Sequence, residues 1–285
     1  MLDELIELLD LETIEEGIFR GQSQDLGWGV VYGGQALGQG LSAAAQTVDP
    51  ARPAHSFHAY FLRRGDPRRP IVYHVESTRD GASISTRRVK AVQHGRPIFF
   101  MAASFQRPSD GLDHQAEAPE VTQPEDLQSL EQITERFREE IPEPLRAHIA
   151  LDLPIEMRPV HVANPVAPEP REPLQQIWLR ARGSLPDRPA THRQLLAYAS
   201  DFSLLDTVLM PHGRSYWQGD LRMASIDHAM WFHRDFHFDD WVLYAIDSPN
   251  ASGARGLARG QLFDRSGRLV ASTAQEGMIR QVRPS

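Results

Sequence analysis

Asp201 interrupts an apolar stripe. On a helical wheel of about 100° per residue, Arg193 to Met210 put Leu195, Tyr198, Ala199, Phe202, Leu205, Val208 and Leu209 on one face. Ala197 and Leu204 extend that face, and Asp201 falls between Val208 and Leu205. Ser200, Ser203 and Thr207 hold the other side, so a generally polar helix does not force the placement. A carboxylate inside an apolar face is tolerated when something pairs with it or uses it. The plain alternative is a helix that ends or rotates so that Asp201 meets water, or a carboxylate bonded to backbone. Gln275 repeats the anomaly on a strand, where alternation groups it with Leu269, Ala271, Thr273 and Ile279. Ser225 shares a strand face with Met223 and Ala229 and by itself is an ordinary hydroxyl.

Together the three side chains form a kit for activating water. The carboxylate takes a proton, while hydroxyl and amide hold the oxygen in place. Other chemistries are weaker. Gly38-x-Gly40-x-x-Ala43 lies inside a helix rather than at a strand-to-helix turn, so it does not make a dinucleotide site. No Gly-x-Ser-x-Gly elbow is present. His228, His233 and His237, among Asp227, Asp235, Asp239 and Asp240, suggest a metal, but one is mid-strand and the others approach a turn, so they are not expected to converge. His58 could be a base. Arg63, Arg64, Arg68 and Arg69 flank Gly65-Asp66-Pro67 and offer a place for phosphates. The Gly33-Gly34 helix start could lend backbone N–H groups to an oxygen that gains negative charge.

The elements that must carry these residues repeat. His58-Ala59-Tyr60-Phe61-Leu62-Arg63 echoes His228-Ala229-Met230-Trp231-Phe232-His233, Ala82-Ser83 echoes Ala251-Ser252, and Gly95-Arg96 echoes Gly267-Arg268. An offset of about 170 residues reads as a duplication. Ala103 then stands where the second copy has Gln275, and His58 pairs with His228, which implies a shared structural role. Each copy reads as strands, one long helix, then a meander. The first has Thr13 to Arg20, Val30 to Tyr32, a small-residue helix from Gly33 to Val48, and strands 56–62, 71–78, 83–92 and 97–105. The second has strands 155–162 and 175–181, helix 193–210, and strands 222–232, 241–246, 255–263 and 269–279. Short turns leave no room for parallel crossovers, so the class is α+β with antiparallel sheet. An N-terminal repeat (1–107), an acidic Pro-rich connector (108–153, with a surface helix from Gln128 to Glu140) and a C-terminal repeat (154–285) follow.

Composition narrows the class further. The chain has 285 residues, 41% hydrophobic and 24% charged, enough for a large core. Without Cys there is no disulfide, thiolate nucleophile or zinc-thiolate site. A net charge of −8 argues against non-specific nucleic-acid binding. The start Met1-Leu2-Asp3-Glu4 is unlike a signal peptide, Arg283-Pro284-Ser285 is not a Ser-Lys-Leu-type address, and no stretch approaches a membrane span. A cytoplasmic protein is expected.

Three motifs tie these features to a family. Leu196-Ala197-Tyr198-Ala199-Ser200-Asp201, Ser225-Ile226-Asp227-His228-Ala229-Met230-Trp231-Phe232-His233-Arg234 and Ser272-Thr273-Ala274-Gln275-Glu276-Gly277 resemble the acyl-CoA thioesterase II family. Glu16 to Gly21, Gly33-Gly34-Gln35 and His55 to Arg63 resemble it as well. The resemblance implies a double hotdog, two repeats each wrapping an antiparallel sheet around a central helix. It also implies hydrolysis of acyl-CoA to free acid and CoA, with the catalytic Asp, Thr-or-Ser and Gln at Asp201, Ser225 and Gln275. No cofactor or metal is expected, and exposed sheet edges together with the resemblance favour a homo-oligomer. The competing expectations are a non-catalytic acyl-CoA binding module and a hotdog hydratase. The first leaves two buried polar groups unexplained, and the second lacks a convincing Asp/His pair.

Overall fold

A computed structural model of the chain describes residues 1–141, 143–146, 153–218 and 220–281. Part of the expected connector and the Arg283-Pro284-Ser285 tripeptide lie outside the described residues. Helix α1 (Leu2–Leu9) buries Leu2, Leu5 and Leu9, as their spacing requires. Thr13 to Arg20, expected as one strand, is a hairpin of β1 (Glu12–Glu15) and β2 (Ile18–Gly21). It folds back at Glu16-Gly17, where Gly17 takes φ 71°. Of Val30 to Tyr32, Val31 makes an isolated bridge to Asp25.

Helix α2 (Gly33–Ala45) follows and is buried from Gly34 to Ala44. Its Gly, Ala and Ser side chains let the sheet close around it. The meander is β3 (Ala54–Phe61), β4 (Ile71–Asp80), β5 (Ile84–Gln93) and β6 (Arg96–Gln106), close to the expected spans. Two short helices, α3 (Leu130–Arg136) and α4 (Glu143–Arg146), precede β7 (Ile155–Pro159) and β8 (Leu174–Ala181). The rest is α5 (Pro189–Ala199), α6 (Leu204–Leu209), β9 (Leu221–Ser225), β10 (Asp227–Phe232), β11 (Val242–Ser252), β12 (Arg255–Asp264) and β13 (Leu269–Gln281).

One antiparallel sheet runs β1-β2-β4-β5-β6-β3-β10-β13-β12-β11-β8-β7, with β9 on β13. The order mirrors itself about the β3–β10 junction. This is the double hotdog: α2 packs on β3 to β6, and α6 packs on β11 to β13. A single apolar core runs through both halves and includes Phe57, Phe99, Phe105, Met230 and Phe238.

Two expected elements change. The expected helix 193–210 is two helices, because the chain turns at Ser200–Ser203, where Ser203 has φ 69°. The Tyr244 hydroxyl donates to Ser200 O at 3.1 Å, satisfying a carbonyl at the end of α5. The strand expected from Arg222 to Phe232 breaks at Ile226: β9 pairs with β13, while β10 lies between β3 and β13.

The repeat alignment also slips by one residue at β3. His58 is exposed and His228 fully buried. The strand pairing sets His228 opposite Ala59, Ala229 opposite His58 and Met230 opposite Phe57. The strands are therefore related about the His58–Ala229 pair, and His228 corresponds to Phe57. A one-residue slip exchanges the faces of a strand, so His58 and His228 share no structural role.

The connector is also more than a link. Ala118, Val121 and Leu127 pack on a second cluster of Trp178, Trp241, Leu243, Phe263 and Leu269, and Trp178 Nε1 donates to Thr122 O at 2.9 Å. The expected surface helix shortens to α3, started by a capping box between Ser129 and Gln132.

The halves also meet closely where α2 crosses α5. A Cβ on Gly34 would stand 2.1 Å from Tyr198 O, a backbone atom with no freedom to retreat. Gly34→Ala should therefore destabilise the fold by about 2–3 kcal/mol or more, measured as a lowered midpoint in urea unfolding.

Candidate active site

Asp201 lies in the turn between α5 and α6, not within a helical face. The apolar surroundings inferred for it hold for a different reason: the helix ends, and the turn carries the carboxylate to the start of α2. The Gly34 backbone N–H hydrogen-bonds the carboxylate. A Cβ on Gly33 would lie 2.5 Å from Asp201 Oδ2, so the approach requires glycine there. The Gly34 N–H is thus directed toward Asp201. Tyr32, ahead of α2, stacks on Phe202 with ring centroids 4.5 Å apart, and its hydroxyl donates to Tyr198 O at 3.1 Å. These contacts shield one side of the turn from water.

Ser225 ends β9, and its Oγ donates to Asp201 Oδ1 at 3.5 Å. Gln275, on β13, is 1% exposed and donates from Nε2 to Ser225 Oγ at 2.9 Å. Its amide also hydrogen-bonds Asp201. The β13 face matches its alternation: Ala271, Thr273 and Gln275 point inward, and Gly277 pairs with Ser225 across β9. The three side chains singled out in the sequence therefore converge.

Burial dominates the electrostatics. It pushes the Asp201 carboxyl up to about 7, against the downward pull of hydrogen bonds from Gln275, Gly34 and Ser225. A carboxylate poised near neutrality suits a general base. Near pH 7 it is divided between charged and neutral forms.

The remaining candidates do not join this group. His58 projects outward from β3, edge-on to Trp231 at 5.2 Å. Asp227 accepts from Glu276 N at 2.7 Å and ties the start of β10 to β13. His233 bonds Ser272 at 2.9 Å. Among the described residues, His192, His237 and Asp239 could gather about one ion. Yet His192 Nδ1 accepts the Phe238 amide at 3.0 Å, which places the ring proton on Nε2 and leaves no lone pair for metal.

Sequence reasoning missed His228. It sits on the inward face of β10 with Met230 and Phe232, its Nδ1 2.5 Å from Gln275 Oε1. Alternation along β10 alone would have flagged it, but the misregistered echo with His58 hid the anomaly.

Similarity to known proteins extends over nearly the whole chain. Residues 144–278 match the family described as acyl-CoA thioesterase, and residues 23–106 match the acyl-CoA thioesterase N-terminal domain. Acyl-CoA thioesterase 2 of Haemophilus influenzae is 44% identical over 98% of each chain. Human acyl-coenzyme A thioesterase 8 is 41% identical over 96% of this chain and 88% of its own. The crystal structure of the acyl-CoA thioesterase II TesB2 from Mycobacterium marinum superposes with a TM-score of 0.80, at 41% identity and 99% coverage of both chains. The chain belongs to the acyl-CoA thioesterase II family.

The duplication supplies an internal control. Ala103 is buried in the first half, opposite Phe57, where the second half has Gln275 beside His228. Gln275→Ala should lower kcat by about ten- to a thousand-fold, whereas Ala103→Ser should leave turnover within about threefold. Steady-state thioester hydrolysis by folded variants checks both.

Proposed function

We propose that this chain hydrolyses acyl-CoA thioesters to free acid and CoA, using a water activated by Asp201 and positioned by Ser225 and Gln275. The observation that carries the proposal is the convergence of a carboxylate of raised pKa, a hydroxyl and an amide beside the N-terminus of α2. The family membership of the whole chain supports it.

Asp201 accepts a proton from water as the oxygen attacks the thioester carbonyl carbon. Ser225 and Gln275 hold that oxygen on the line of attack. The tetrahedral intermediate then expels the CoA sulfur, and the proton on Asp201 passes to the leaving thiolate. Atoms and charge balance with water as the sole co-reactant, and no residue is acylated. In this scheme the apolar flank at Tyr32 and Phe202 keeps bulk water from competing with the bound one.

Arg63 and Arg64 follow β3 after Leu62, at the end where Phe61 stands 3.1 Å from the position of a Gly33 Cβ. Arg63 is anchored on Pro97 O at 2.6 Å, while Arg64 is exposed. In this reading the exposed Arg64 is the side chain offered to the phosphates of a bound CoA. By contrast, Arg68 is engaged with Asp66.

The same reading takes 1–107 and 154–285 as the two repeats joined by 108–153. It also takes the chain to be cytoplasmic, and a homo-oligomer because β1 and β7 end the sheet with unpaired edges. Among the described residues, no helix is long and apolar enough to cross a membrane.

Free thiol released from a panel of acyl-CoAs tests the proposal directly. A binding module releases none, and a hydratase alters the acyl chain while leaving the thioester intact. Asp201→Asn should reduce kcat by about a hundred-fold or more with little change in KM. In the unaltered enzyme kcat should fall as pH drops through about 7, where Asp201 takes up its proton. Raised above its unfolded value, the Asp201 pKa favours the folded state below the unfolded pKa, and that advantage is lost as pH rises through about 7. At pH 8, Asp201→Asn should accordingly unfold at an equal or higher temperature than the parent. Near-normal kcat in this variant would exclude Asp201 as the base. Arg64→Ala should raise KM about two- to tenfold with kcat nearly unchanged.

A further inference from the structure

His228 is a buried titratable group beside Gln275 that the mechanism leaves idle. It is fully buried, and it stacks against Phe57 with ring centroids 6.0 Å apart and planes 21° from parallel. Both ring nitrogens are occupied. Nδ1 lies 2.5 Å from Gln275 Oε1, and Nε2 lies 3.0 Å from Oγ of fully buried Ser200. Burial lowers the imidazole pKa to about 4, so the ring is neutral when the enzyme works and carries one proton.

That proton's position follows from its neighbours. Gln275 uses Nε2 to donate to Ser225, which leaves Oε1, an acceptor only, facing the ring. The proton must therefore sit on Nδ1. The Nε2 lone pair then requires the Ser200 O–H, in preference to the Ala197 carbonyl 2.9 Å from the same hydroxyl. Ser200 directly precedes Asp201. The bonds thus form a closed circuit from Ser200 through His228, Gln275 and Ser225 to Asp201, every donor pointing the same way round.

Without an imidazole donor, the Gln275 Oε1 would lose its buried partner, and the amide would be held nitrogen-first by the carboxylate alone. Flipped, it would set two acceptors against each other at Asp201. The first repeat has Phe57 and Ala103 at the corresponding places, lacking histidine and glutamine together.

We propose that His228 is a positioning residue: its imidazole, protonated on Nδ1 and accepting the Ser200 hydroxyl on Nε2, fixes the Gln275 amide with nitrogen toward Ser225 and Asp201. The inference rests on the proposed hydrolytic role of Gln275, but the tautomer can be observed without any activity.

The test pairs spectroscopy with kinetics. Nitrogen-15 NMR of histidine-labelled protein, with His228 assigned by its absence in His228→Asn, should show a neutral ring protonated on Nδ1 from pH 6 to 8. An Nε2-protonated ring, or a His228 that titrates in this range, would overturn the proposal. His228→Phe copies the first repeat and keeps the packing. It should lower kcat about ten- to a hundred-fold with KM within about twofold. Its kcat profile should also lose activity at a higher pH, because the Gln275 amide no longer draws the Asp201 pKa down. His228→Asn places an amide N–H near the Nδ1 position and should restore kcat to within about fivefold of the parent, with the profile back in place. A folded His228→Phe with unchanged kcat and profile would sink the idea, as would failure of a folded His228→Asn to recover. If His228→Phe does not fold, the tautomer and the asparagine variant decide. If the parent releases no thiol from any acyl-CoA, the hydrolytic reading falls while the tautomer still reports on the circuit.

Discussion

The structure depends on one close approach, the N-terminus of α2 against the turn that carries Asp201. Glycine at 33 and 34 lets backbone meet a carboxylate oxygen on one side and the Tyr198 carbonyl on the other. Larger residues would push α2 away from α5, separating the two halves and stripping Asp201 of its backbone donor. A helix start carries partial positive charge and steadies a nearby anion. The same contact therefore joins the repeats and holds a carboxylate in a place that burial would otherwise deny it.

The strand order mirrors itself across the two halves, yet the site is lopsided. Two-fold symmetry about the β3–β10 junction provides two equivalent corners, each between a strand pair and the start of a helix. In one corner Phe57 and Ala103 fill the space with carbon; in the other His228 and Gln275 fill it with a hydrogen-bonded pair. The first half is not a bystander, since α2 supplies the amide that meets Asp201. Side chains come from one repeat and a backbone donor from the other, and neither half holds the group without its partner.

In the proposed mechanism, Asp201 sets chemistry against stability. Burial raises its pKa, and three hydrogen bonds counter only part of the rise. A carboxyl at its ordinary pKa would be a weaker base, and a fully desolvated one would stay protonated. Partial burial beside hydrogen-bond donors lies between these limits, and the carboxylate is retained at some expense to the folded state.

Much of this was legible in the residues themselves. Alternation along β4, β5, β6 and β13 follows from the period of a strand, and Gln275 stood out because that period left no room for a polar side chain. The duplication, the α+β class and the residues that would converge followed from local pattern together with family resemblance. Other features needed the folded chain. The break at Ser200–Ser203 depends on the Tyr244 hydroxyl, more than forty residues away, taking the Ser200 carbonyl. The true partner of His228 depends on which residue faces which across β3 and β10, and an error of one position inverts every side chain. Packing of the connector on Trp178 and Trp241 is likewise a long-range choice. Local sequence determines which residues share a face; where that face points, and what meets it there, is decided only when distant segments compete for the same buried space.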